Sequence, residues 1–182
     1  MTQKLDDFFN YEGIALDDIP KIPLYMDQLL SLFDEYFNDF RRDADEKIMT
    51  KTMVNNYVKA KVIDPPVKKK YTKEQLMMLT LVYQLKNILP INDIKAFFDL
   101  YDNTEFTPEE RNNKIKEYFS IYNTLELEHI NALKIRYTDF ETTLTKEDDK
   151  KALIARLLVE ADLNKRLALI LMDDEKIIAL PE

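Results

Sequence analysis

The chain has 182 residues, 46% of them hydrophobic, with one glycine, no cysteine and a formal net charge of −8. A single glycine argues against a sheet-rich fold of tight turns and against a glycine loop that cradles phosphate. The lack of cysteine excludes disulfides and thiolate zinc sites. The apolar content suffices for one sizeable core, or for a small head and a second subdomain. No stretch reads as long and apolar enough to span a bilayer, and the opening residues do not read as a signal peptide. A soluble, cytoplasmic protein with no membrane partner is therefore expected.

Residues 1–23 are aperiodic and acidic, and hold Gly13, Pro20 and Pro23. Phe8, Phe9, Tyr11 and Ile14 predict an arm packed over the body, because disordered leaders seldom carry so many aromatics. Leu24 to Phe40 predicts an amphipathic helix, with Met26, Leu29, Leu30, Phe33, Tyr36, Phe37 and Phe40 at three- and four-residue spacing. Its expected role is to buttress the following helix through Met53 and Tyr57. Arg41 and Arg42 suit the negative end of its dipole.

The next stretch departs from the rest. Lys47 to Lys73 contains eight lysines and one acid, Asp64, a local charge of +7 that leaves −15 for the remainder. Such an island calls for a local explanation. Thr50 predicts the cap of a short helix. At 100° per residue Thr52, Asn55, Asn56 and Lys59 share one stripe, while Met53, Val54, Tyr57 and Val58 share the opposite one. Asn pairs bidentately with adenine in the major groove, Lys takes guanine or phosphate, and Thr reaches phosphate or a thymine methyl. The same pattern also describes an ordinary amphipathic helix with a solvated face. Asp64-Pro65-Pro66 stops the helix, since proline lacks the amide hydrogen and restricts its predecessor. Val67-Lys68-Lys69-Lys70-Tyr71 then predicts a short extended strip or small hairpin.

Thr72, with Gln75 three residues on, predicts a capping box opening a helix to Leu89 that is apolar nearly all round and therefore central. Pro90 ends it. Asn92 is expected to cap a short helix returning Ile94, Phe97, Phe98 and Tyr101 to the core. Thr107-Pro108-Glu109-Glu110 opens another helix. Ile115, Tyr118, Tyr122 and Leu125 step by three and four, as do Ile130, Leu133, Tyr137, Phe140 and Leu144. The gap between Leu125 and Ile130 marks a stutter or, as the shortness of each stretch favours, a turn between two helices. Thr145 is expected to cap a last helix to about Met172, with Leu153, Leu157, Ala161, Leu167, Ala168 and Leu171 on its apolar side. The tail Ile177-Ile178-Ala179-Leu180 is expected to dock on the body or on a second subunit.

Chemistry of catalysis is sparse. His129 is the single histidine, beside Glu126 and Glu128, and reads as a structural residue rather than a catalyst or metal ligand. Asp17-Asp18, Asp148-Asp149 and Asp173-Asp174 read as solvated charge at helix ends. No enzyme activity, metal or cofactor is expected.

Three segments together resemble the reading head of MerR-like winged helix-turn-helix proteins. They are Thr50 to Pro66, Lys68-Lys69-Lys70-Tyr71-Thr72-Lys73-Glu74-Gln75-Leu76, and Leu89 to Phe98. Leu24-Tyr25-Met26-Asp27-Gln28, Thr50 to Lys59 and Pro66 to Tyr71 are similar, more closely, to an uncharacterised bacterial domain family of mainly Gram-positive species. The resemblance covers roughly residues 18–105. It departs from MerR proper where Asn56-Tyr57 replaces an arginine-tyrosine pair, and in the missing glycine at the wing tip.

The expected fold is all-α: an arm (1–23), a MerR-like winged helix-turn-helix head (24–105), with at most a tiny β-wing, and a C-terminal helical region (106–182). The expected function is transcriptional regulation through double-stranded DNA. Thr52, Asn55, Asn56 and Lys59 would face the groove, Lys68, Lys69 and Lys70 the phosphates, with Tyr71 counted among the DNA-facing residues. A homodimer joined by the C-terminal helices is expected, on a two-fold site. The alternative is a winged-helix adaptor that docks proteins and not DNA. A weaker reading makes the C-terminal helices a ligand sensor.

Overall fold

A computed structural model describes residues 3–41, 43, 45–100, 106–143 and 147–174. The described chain is mostly helical: α1 (Gln3–Phe9), α2 (Met26–Tyr36), α3 (Lys51–Lys59), α4 (Lys73–Leu85), α5 (Ile91–Asp99), α6 (Pro108–Thr143) and α7 (Glu147–Asp173). One small antiparallel sheet joins β1 (Leu24–Tyr25) to β2 (Lys70–Tyr71), in the register Leu24↔Tyr71 and Tyr25↔Lys70. Among the described residues no helix is long and apolar enough to cross a membrane.

The chain forms two compact units, Met1–Asn131 and Ala132–Glu182. The division falls inside α6, whose first half packs with the first unit. Phe119 and Ile130 are buried there.

α4 is the centre of the first unit. Leu76, Met77, Leu79, Leu81, Val82, Tyr83 and Leu85 are all buried, as a helix apolar on every side requires. α2 lays aromatic rings against it: Phe37 lies 4.0 Å and Phe33 6.5 Å from the Tyr83 ring centroid. α2 is shorter than the periodicity predicts. Leu24 is drawn into β1 by pairing with Tyr71, and the Tyr25 amide donates to Gln28 Oε1 at 3.0 Å to start the helix. At the other end a tight turn, Asn38–Phe40, comes after Phe37.

Asn92 is no cap. Pro90 holds that position and Asn92 lies in the first turn of α5. α6 corrects the expectation of two helices, since it runs unbroken from Pro108 to Thr143. Thr107 and Glu110 form its reciprocal cap, and no proline or glycine interrupts the helix after its first turn. The five-residue gap is a change of face: Leu125 stays 47% exposed, whereas Ile130 is buried. Arg42, Tyr101, Leu144, Thr145 and the tail 177–180 lie outside the described residues.

The arm docks on the first unit as expected, and contributes α1, which no periodicity announced. Phe9, Ile14 and Ile19 are buried. The Ile14 amide donates to Asn123 Oδ1 at 3.1 Å, Lys73 Nζ to the Leu16 carbonyl at 2.6 Å, and the Tyr36 hydroxyl to the Asp18 carbonyl at 2.6 Å. Gly13 permits this approach. Its φ is +77°, and a Cβ there would stand 2.2 Å from Asn123 Oδ1.

A polar cluster lies beside the arm. Gln84 Nε2 donates to Glu126 Oε2 at 2.9 Å, while the Tyr11 hydroxyl and Gln84 Oε1 are buried with no partner among the described residues. Burial, with the Glu126 carboxylate adding to it, pushes the Tyr122 hydroxyl up to about 12 and Tyr11 higher still. Burial also raises the Glu126 carboxyl, against the lowering effect of the Gln84 hydrogen bond. In its neutral form Glu126 would donate to Gln84 Oε1 and close an acid–amide pair.

Within the second unit Glu160 accepts from Arg136 Nη1 at 2.8 Å and from Arg156 Nε at 2.9 Å. The Arg156 guanidinium lies 5.7 Å from the Phe140 ring centroid. Among the described side chains of α7 Leu153 is the buried one, while Leu157, Leu167 and Leu171, expected on its apolar side, are exposed.

The arm and its cluster give two expected outcomes. Gly13→Ala should destabilise the protein by about 1–3 kcal/mol in urea denaturation, through a left-handed backbone and the clash with Asn123. Glu126 binds its proton more tightly folded than unfolded, so its contribution is full below the unfolded value and is lost as pH rises through the raised one. Glu126→Gln should therefore be more stable than wild type at neutral pH. Chemical denaturation at stepped pH should show that difference shrink as the buffer becomes acidic.

Candidate nucleic-acid interface

α3 begins at Thr50, whose extended backbone (φ −124°, ψ 156°) lets Oγ1 accept the Met53 amide at 3.2 Å. The faces sort as the sequence predicts. Val54 and Tyr57 are buried, Met53 and Val58 half-buried, and Thr52, Asn55, Asn56 and Lys59 exposed. Lys51 occupies the first turn, where the helix dipole disfavours a cation, and no acid offsets it.

The helix ends in a Schellman motif. The Val62 amide donates to the Tyr57 carbonyl and the Lys61 amide to that of Val58, both at 3.0 Å. Its left-handed position, usually glycine, is held by Lys61 at φ 57°. Val62 and Ile63 then turn into the core, and Gln75 fixes the connection to the hairpin. Gln75 Nε2 donates to the Asp64 carbonyl at 2.7 Å and the Pro65 carbonyl at 3.2 Å, while its Oε1 accepts the Thr72 amide at 2.9 Å.

The lysine strip is a two-residue hairpin. Val67 and Lys70 exchange both backbone hydrogen bonds at 3.0 Å, and Lys68 (φ 51°) and Lys69 (φ 65°) form the tip. Positive φ at both tip residues defines a type I′ turn, whose twist suits the flanking strands. The turn is thus made without the expected glycine. Lys68 and Lys69 are exposed, and Lys70 stacks 4.8 Å from the Tyr25 ring centroid. Among the described residues none of Lys59, Lys61, Lys68 and Lys69 is engaged by a carboxylate.

Tyr71 departs from its expected role. It is 2% exposed, paired with Leu24, and burial raises its hydroxyl above the usual tyrosine value. It anchors the hairpin base in the core and cannot lie along a ligand. Lys61 is the residue missed by the sequence reading, for no local rule announces a lysine at a glycine position. A cavity of about 350 Å³ opens beside this turn, lined among others by Ile63, Met78, Phe98 and Ile115. Its rim mixes Lys61, Lys95 and Arg111 with Asp64, Glu74 and Asp99. It lies in the first unit, between the head and the first turns of α6.

These elements define a helical protein whose capped polar helix and lysine-tipped hairpin share one basic segment. The chain belongs to a family described as a domain of unknown function (DUF1836), which it matches over residues 14–125. That span includes the arm from Ile14, the whole basic segment and the first half of α6. No curated protein and no solved structure matches the chain.

Proposed function

We propose that the protein is a cytoplasmic DNA-binding regulator with a MerR-like winged helix-turn-helix head. The observation that carries this reading is the solvent face of α3. Thr52, Asn55, Asn56 and Lys59 stand exposed on a capped helix, in a basic segment of an otherwise acidic chain. In this reading α3 enters the major groove, where its two amides and Lys59 meet base edges and phosphates. The hairpin acts as the wing, with Lys68, Lys69 and Lys70 on flanking phosphates. No catalytic step or cofactor is assigned.

The reading includes a homodimer, since one head contacts too few bases for a specific site. α7 supports it. Ile154, Leu157, Leu158, Val159, Leu163, Leu167, Ile170 and Leu171 are each at least 40% exposed. At 100° per residue they spread over about 260° of the helix surface, a pattern suited to a helix covered by neighbours on more than one side. An apolar surface of this extent marks an association site.

Electrophoretic mobility shift on random-sequence duplex at low salt tests the first part. Wild type should bind non-specifically, whereas an adaptor that docks only proteins would not. Replacing Lys68, Lys69 and Lys70 together by Ala should weaken binding to every sequence and flatten the log–log salt slope by about 2–3. Asn55→Ala should change sequence preference while leaving that slope near its original value. Leu163→Lys with Leu167→Lys, at exposed positions, should yield a folded monomer by analytical ultracentrifugation where wild type is a dimer.

A further inference from the structure

Among the described residues, every non-glycine residue with positive φ is a lysine of the basic segment: Lys61, Lys68 and Lys69. The left-handed region brings Cβ against the following carbonyl and costs an L-residue about 1–2 kcal/mol. Both local structures have standard low-strain solutions, glycine at a Schellman C′ position and Asn-Gly at a type I′ tip. The chain's one glycine is used at Gly13 instead. All three side chains are exposed, and among the described residues none packs on a ring or pairs with an acid.

We propose that Lys61, Lys68 and Lys69 are each phosphate ligands, held in left-handed backbone because the ammonium is needed where glycine would fold better. Lys61 is the new member. It stands two residues after the end of α3, where a cation also favours the helix dipole, so a phosphate beside the groove would meet it as the helix enters. Strain of this kind collects where binding residues must be held in place. The inference rests on the DNA-binding reading and adds to it an opposition between stability and affinity at three named positions.

Lys61→Gly and the paired change Lys68→Asn with Lys69→Gly provide the test, with Lys61→Arg as the charge-keeping control. Thermal unfolding and mobility shift on random-sequence duplex, the latter over a salt series, are read on the same samples. Relief of strain, less the extra freedom glycine gives the unfolded chain, should raise Tm by roughly 1–4 °C for each variant. Binding should weaken at the same time, the log–log salt slope falling by about 0.9 per charge removed, and Lys61→Arg should bind as wild type does. Variants that bind as tightly as wild type, or that show no gain in Tm, overturn the proposal while leaving the DNA reading in place. Wild type that binds no duplex overturns both.

Discussion

One buried amide holds the basic segment to the body. The Gln75 side chain accepts the Thr72 amide and donates to the carbonyls of Asp64 and Pro65, so it joins the start of α4, the proline turn and the root of the hairpin. Gln75 itself is buried, so losing these partners would leave its own amide unsatisfied, a loss of about 1–3 kcal/mol. Prolines in the connection restrict the chain further. A lysine-rich loop, which would repel itself into an extended coil, is thereby given one path.

Two further anchors work in the same direction. Tyr71 is buried at the base of the hairpin and pairs with Leu24, so the strip is tied to the start of α2. Val54 and Tyr57 bury the inner side of α3. Outside stay the polar stripe and the lysines. Apolar residues of α3 and of the hairpin base fix these elements to the body, and their charged residues face solvent. The division keeps a local charge of +7 on the surface of a chain whose remainder carries −15.

The arm and α6 show how polar groups set limits on the same body. Asn123 receives the Ile14 amide, and only a residue without Cβ at position 13 allows the approach. Beside it Glu126 is half-withdrawn from water with Gln84 as its hydrogen-bond partner, and two buried polar atoms near it are unpartnered among the described residues. A neutral carboxyl relieves part of that frustration.

Patterns that depend on neighbours in sequence were legible before any coordinates. The Thr50 cap, the Thr72–Gln75 box, the two faces of α3 and the all-round apolarity of α4 arise from spacing and hydrogen-bonding capacity within one turn. Tertiary contacts decided the remainder. Leu24 left its helix for a strand because Tyr71, far along the chain, offered a pairing partner. α6 ran through a phase break because nothing local stops a helix whose buried side changes. Lysines took glycine positions because the Schellman turn and the hairpin are fixed at their ends by Val62, Ile63, Gln75 and Tyr71. The sequence by itself determined which surfaces are polar and which helices begin where. Only the folded chain decided which residues bear strain, since strain arises when distant anchors close a path that the local residues would not choose.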